Sequence, residues 1–204
     1  MMKLRIAGAL LALVSGMAGA DASGPALKIG DAAPPLEAMS WIKGDPVQKF
    51  EPGRVYVIEF WATWCVPCKK IMPHLSELQR KHAGDLTVIG VNVRETEKGE
   101  ATESVVQKFV ERQGETMDYT VAMDDPVKKT IFNTWMIAAG SYGIPTSFVV
   151  DKQGRVVWVG HPVGSGAAEF DTAVEQALAG TSDLAAARAV QAEVVRQNAP
   201  RIRN

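Results

Sequence analysis

The sequence of 204 residues predicts an α/β fold built on a mixed sheet, and three observations predict it. Two nearly continuous β-branched and apolar runs, residues 55–60 (VYVIEF) and 86–93 (LTVIGVNV), have the pattern of central strands covered on both faces. A helical stripe lies between them, and a strand, helix, strand order implies a right-handed parallel crossover. Residues 146–151 (TSFVVD) and 155–160 (RVVWVG) are joined only by Lys152-Gln153-Gly154, a turn short enough to make them an antiparallel hairpin. Parallel and antiparallel pairs together predict a central mixed sheet flanked by helices.

Taken in order, residues 1–20 (MMKLRIAGALLALVSGMAGA) have the three parts of a secretory signal: Lys3 and Arg5, an apolar run from Ile6 to Val14, and Ala18-Gly19-Ala20 before Asp21. The run is shorter than the roughly 20 apolar residues of a membrane span, so cleavage is expected rather than an N-terminal anchor. Export, to the periplasm or beyond, follows. Residues 21–53 are rich in Pro and Gly, which predicts turns joining short extended pieces and a small N-terminal hairpin. Between Val66 and His82, Ile71, Leu75 and Leu78 mark an amphipathic helix, with a kink expected at Pro73. A second helix is expected over 102–113, its apolar face formed by Val105, Val106, Phe109 and Val110, with Ser104 and Gln107 spaced like a capping box. Trp135-Met136 falls on a helical stretch before Gly140 and reads as core. A closing helix carries Phe170, Ala173, Val174, Ala177 and Leu178 and stops at Gly180. Residues 181–204 predict an extra C-terminal helix with a thin stripe of Leu184, Ala187, Val190 and Val194, and with Arg196, Arg201 and Arg203 as a solvated end. The expected organisation is a signal (1–20), one domain (21–180) and a helical tail (181–204).

Composition narrows the function. Hydrophobic residues make up 47% and charged residues 22%, as in ordinary globular proteins, and the net charge of −1 provides no electrostatic footprint for nucleic acid. The two cysteines, Cys65 and Cys68, lie three positions apart. In an oxidising compartment they form a disulfide unless something reduces them. As a staple such a bridge closes too small a loop to stabilise much, and a chain of this length buries a sufficient core without it. Redox chemistry is the better reading.

The cysteines fall where the strand ending at Phe60 hands over to a helix. Backbone N–H groups at a helix start favour a thiolate and lower the pKa of the first cysteine. The second, one turn along, can attack a mixed disulfide and release the substrate. Cys65 is therefore the expected nucleophile and Cys68 the resolving thiol. Trp61 and Trp64 flank the pair, Trp61 inward and Trp64 toward the rim, where it can meet substrate with Pro67.

The run EFWATWCVPCK (59–69), Pro73, the run GIPTSFVVD (143–151) and the hairpin ending in Trp158 and Gly160 appear in an order that resembles the thioredoxin superfamily. More narrowly, the chain resembles exported bacterial proteins of the TlpA/ResA type over about residues 28–180. The resemblance implies a thioredoxin-like fold with a central helical insertion between Glu95 and Met123. It also implies a cis Ile144-Pro145 bond facing the cysteines, beside which an extended substrate strand can pair, and a buried acid at Glu59 that shuttles the Cys68 proton. The chain departs from the ResA subgroup at Ile71, where an acid often stands, so the tuning attributed to that acid is not carried over. Val66-Pro67 lacks the central histidine of strongly oxidising relatives and leans toward a reductant. The implied function is disulfide exchange with exported protein substrates, electrons coming from a membrane thiol donor, in a monomer without cofactor.

Other chemistries fit less well. Lys69 follows Cys68, so the haem attachment pattern C-x-x-C-H is absent, and no G-x-G-x-x-G follows a strand to bind a nicotinamide or flavin. His74, His82 and His161 have no metal-ligand spacing. His74 and His82 are expected on the solvent side of the first helix, while His161, before Pro162, could approach the substrate surface. A thiol peroxidase of the peroxiredoxin type would share the fold but places Pro and Thr before its cysteine, where this chain has Ala62. A redox-inactive scaffold or copper chaperone using the sulfurs as ligands is the remaining alternative.

Overall fold

The computed structural model describes residues 26–37, 39–99 and 102–202; the expected signal, residues 1–20, lies outside them. Its centre is β2 (Val55–Trp61), buried at every position because it pairs in parallel with β3 (Leu86–Asn92) on one edge and antiparallel with β5 (Thr146–Val150) on the other. Outside β3 stands β4 (Thr120–Asp124), parallel to it, then β1 (Met39–Lys43), antiparallel; outside β5 stands β6 (Val156–Gly160), antiparallel. The six-stranded order is β1-β4-β3-β2-β5-β6.

Period-two alternation sorts β2 between two layers. Val55, Val57 and Trp61 face a core built with α1 (Val66–Lys81), α2 (Glu103–Gln113) and α3 (Ala167–Ala179), which bury Leu75, Phe109 and Phe170 among others. Tyr56, Ile58 and Phe60 face the opposite core, where Leu27, Ile29, Trp135 and Met136 pack with Ala187 of α4 (Leu184–Ile202). Trp135 sits in a short π-helical stretch, Phe132–Ile137, edge-on to Phe148 at 5.2 Å. Its position in the core agrees with the sequence reading.

Several expectations are corrected. Residues 21–53 form no hairpin within the described residues: only β1 is a strand, and it pairs with β4. The upstream backbone goes instead to β6, through Gly30 N to Val156 O (2.8 Å) and Val156 N to Asp31 O (2.9 Å). Pro34, Pro35 and Pro46 have no N–H to give a local ladder. The cap of α2 is Thr102, whose Oγ1 accepts from Val105 N, and not Ser104. Strand β4 falls inside the stretch read as helical insertion. Pro73 lies inside α1, as expected. His74 and His82 are half-buried against α3, with His74 Nε2 2.7 Å from Asp171 Oδ1 and His82 Nε2 3.5 Å from Glu175 Oε1.

α4 packs against β6 and buries Ala187 and Val194, and a buried amide fastens it to the upstream segment. Gln191 Nε2 donates to Leu27 O (2.7 Å), and its Oε1 accepts from Ile29 N (3.1 Å). The helix approaches Gly140 so closely that a Cβ there would stand 2.6 Å from Val195 Cγ2. Arg196 pairs with Glu193 on the outer side. No helix among the described residues is long and apolar enough to cross a membrane. Replacing Gln191 by Leu strands the Ile29 N–H and the Leu27 carbonyl, and should lower the unfolding free energy by about 2 kcal/mol. Urea denaturation reads this as a lower midpoint at unchanged slope.

Candidate active site

β2 ends at Trp61 and α1 begins at Val66, and the turn between them delivers Cys65 to the N-cap of the helix. Cys65 and Cys68 form a disulfide with Cα atoms 5.3 Å apart. The Cys68 N–H donates to Cys65 Sγ at 3.2 Å. In the reduced pair that same N–H, with the helix start behind it, favours a thiolate on Cys65 over Cys68. Cys65 is 3% exposed and Cys68 fully buried.

Pro67 is tolerated in the first turn because its missing N–H would have had no helical partner. It is exposed, and its neighbour Val66 is 64% exposed, the large apolar side chain that stands out beside the disulfide. Sequence reasoning treated Val66 only as part of the dipeptide. Trp64 is half-buried on the rim, its Nε1 donating to Arg94 O at 3.2 Å, while Trp61 is fully buried.

Ile144-Pro145 is cis, as the resemblance implied. Thr146, the next residue, pairs with Phe60 near the end of β2. The proline loop and the cysteine turn therefore leave the sheet at the same end of adjacent strands. Thr146 Oγ1 donates to Gly143 O (2.8 Å), and Pro145 is buried with Ile144 half-exposed above it. His161 Nδ1 meets Pro145 O and its ring covers Gly143, so this histidine does reach the site.

Two residues that sequence reasoning missed hold the loops together. Buried Glu95 accepts from Thr63 N (2.6 Å), Thr63 Oγ1 (2.8 Å) and Asn92 Nδ2 (2.7 Å), tying the turn before Cys65 to the end of β3. Arg94 adopts φ 62°, an uncommon backbone for a side chain with a Cβ. Its carbonyl takes the Trp64 indole, and its guanidinium donates to Tyr142 O, one residue before Gly143, and to Glu97. Arg94 thus bridges the cysteine rim and the proline loop. A three-residue Asn92-to-Glu95 spacing after a strand was the only sequence signal, and it has no distinctive form.

Glu59 is fully buried on the face over which α1 packs, and neither carboxyl oxygen has a partner. Burial holds its carboxyl well above the usual carboxylate range, because the charged form loses its hydration there. Among the described residues no group of three or more His, Cys, Asp or Glu is arranged to hold a metal ion.

Comparison with known proteins agrees with this geometry. The sequence model of the AhpC/TSA family matches residues 29–159. The chain is 27% identical over 135 residues to the protein FixW of Rhizobium leguminosarum, covering 66% of this chain and 61% of FixW. It is 33% identical over 135 residues to the thiol-disulfide oxidoreductase ResA of Bacillus thuringiensis, covering 64% of this chain and 68% of ResA. Among solved structures, a candidate thiol:disulfide interchange protein DsbE from Chlorobium tepidum superposes with a TM-score of 0.57 at 27% identity, over 77% of this chain and 99% of that one.

The raised carboxyl of Glu59 carries a stability signature. The folded protein keeps this proton to higher pH than the unfolded chain, so the stability of the neutral acid is complete below the unfolded carboxyl's titration. It is lost as pH rises from there through the folded value. Glu59→Gln removes this dependence. The stability advantage of the variant over the parent should grow with pH above the ordinary carboxyl range, measured by denaturation of the oxidised forms across pH.

Proposed function

We propose that this chain, which belongs to the AhpC/TSA family and is a thioredoxin-fold thiol:disulfide oxidoreductase like its named relatives, works outside the cytoplasm as a reductant of disulfides in other exported proteins. The observation that carries the chemistry is Cys65 Sγ at the N-cap of α1, on the Cys68 N–H, beside the cis-proline loop. Residues 1–20 support export, and the Val66-Pro67 dipeptide supports the reducing direction.

The Cys65 thiolate attacks one sulfur of a substrate disulfide, whose other sulfur leaves as a thiolate and takes a proton from water. The substrate backbone lies along the Ile144-Pro145 edge as an added strand, against the apolar rim of Trp64, Val66, Pro67 and Ile144. Cys68 then gives its proton to the Glu59 carboxylate and attacks Cys65 Sγ, releasing the second substrate sulfur. Two electrons have passed to the substrate, and the Cys65–Cys68 disulfide remains. A dithiol donor in the membrane returns two electrons: as its thiolate opens the disulfide at Cys65, Cys68 recovers its proton from Glu59. The protein acts as a monomer without cofactor.

Cys68→Ser should trap mixed disulfides with exported proteins, and Cys65→Ser should trap none. Thiol alkylation in cells should find the pair reduced; an oxidised resting pair, or peroxide consumption by the reduced protein at rates above disulfide exchange, overturns the reading. In Glu59→Ala the Cys68-dependent release step should slow by about 10²-fold and lose its pH dependence. An unchanged pH profile removes Glu59 from the proton path.

A further inference from the structure

Glu59 lies in a row of small neighbours. Its register partner on β3 is Gly90, its partner on β5 is Ser147, and Ser147 pairs in turn with Gly160 on β6. Rings with unspent polar atoms overlie the two glycines. A Cβ at Gly90 would stand 2.9 Å from Tyr119 Cε2 and 3.1 Å from Trp61 Nε1, and one at Gly160 would stand 2.6 Å from Trp158 Cζ2. Tyr119 OH, Trp61 Nε1, Ser147 Oγ and Trp158 Nε1 are all buried without a hydrogen-bond partner, as are both oxygens of Glu59. Buried polar groups are nearly always paired, so this many unpaired groups around one carboxyl call for a physical account.

We propose that Tyr119 is a positioning residue for the proton chemistry of Glu59: its phenol, with the Trp61 indole N–H beside it over Gly90, donates to the Glu59 carboxylate whenever that carboxylate exists, directly or across one water. The proposal rests on the proton role given to Glu59 above. With the pair oxidised, Glu59 is a neutral acid and makes little demand on donors. Once Cys68 has taken its proton, a carboxylate is left in a dry core, and an isolated charge there is costly unless donors meet it. A hydrogen bond to a charged group is stronger than one between neutral partners, so donors left free by the neutral state favour the charged one selectively. Burial keeps the Tyr119 phenol well above its ordinary range, and the Glu59 charge adds to this, so it stays a donor throughout working pH.

The other titratable groups buried on this face are Cys65 and Cys68 at the start of α1. β3, β5 and β6 place Gly90, Ser147 and Gly160 there, none of which titrates. The charged groups of the helices packed here lie on their outer sides: His74, Lys81 and His82 pair with Asp171 and Glu175, Arg80 pairs with Asp118, and Lys70, Glu77, Glu103, Lys108, Glu111, Arg112 and Glu169 are exposed. Lys69 stands over the Phe109 ring of α2.

The test is a carbon-13 NMR titration of the Glu59 carboxyl in the oxidised full chain, which needs no turnover. Tyr119→Phe should raise the Glu59 midpoint by about one pH unit without lowering the stability of the oxidised form, because the phenol hydroxyl has no partner to lose there. The acid limb of the Cys68-dependent release step should move up by the same amount. Gly90→Ala, whose Cβ displaces both donors, should raise the midpoint too, and serves if Tyr119→Phe does not fold. An unchanged or lowered Glu59 midpoint in the variant that folds overturns the proposal. A protein inactive in disulfide exchange would instead overturn the proposed function and leave this titration standing.

Discussion

β2 is enclosed on both faces by core layers and on both edges by hydrogen-bonded strands, and the rest of the site depends on that enclosure. It removes water from every side chain of the strand, which turns a carboxyl at position 59 into a weak acid and leaves Trp61 as a fixed wall. It also sets where the chain leaves the sheet. The turn after Trp61 has one short path to the start of α1, and Cys65 falls on the cap of that helix as a result. A strand at the edge of the sheet could supply neither the desolvation nor the fixed exit.

The cysteine turn and the proline loop come from different parts of the sequence, and backbone pairing alone does not hold loops to a fixed separation. Glu95 and Arg94 supply the missing constraint at the end of β3. The carboxylate of Glu95 takes the N–H and hydroxyl of Thr63 together with the Asn92 amide, so its charge is met by three donors inside the protein. Arg94 reaches both loops from its left-handed backbone. Glu59 and Glu95 are both buried acids with opposite surroundings. Glu95 accepts from three donors and serves geometry, while Glu59 has no partner for either oxygen, the condition its proposed proton role requires.

Much of this was legible in the sequence for identifiable reasons. β2, β3 and the β5–β6 hairpin are long apolar runs with plain turn chemistry, α1 and α3 have clear stripes, and Gly180 ends α3 with φ 72°. The cysteine motif and Glu59 could be placed because the resemblance extends over the run that contains them. The cis bond at Pro145 came from the resemblance alone, since no local pattern encodes it. What escaped were features that depend on distant partners. β4 (TVAMD) lacks the β-branched and aromatic run of β5 and β6, and exists because β1 and β3 flank it. The upstream segment finds its partners on β6, over 120 residues away in sequence for the Gly30–Val156 pair. Glu95 and Gln191 look like surface residues until the elements that bury them are in place.

The same logic explains how the β6 edge of the sheet is closed to edge pairing. An open strand edge presents unpaired N–H and C=O groups to any extended chain. On the β6 side the backbone of Gly30, Asp31 and Ala33 is spent on Val156 and Gly154, and Gln191 of α4 fastens the adjoining Leu27 and Ile29. The added C-terminal helix thus acts at a distance from the chemistry, by holding the segment that closes this edge. At the cis-proline loop the chain instead turns into β5 without a further strand laid along it. In the proposed function the cysteine pair stands where an incoming backbone can pair, and selection between substrate and bystander falls to the rim of Trp64, Val66, Pro67 and Ile144 around the sulfurs.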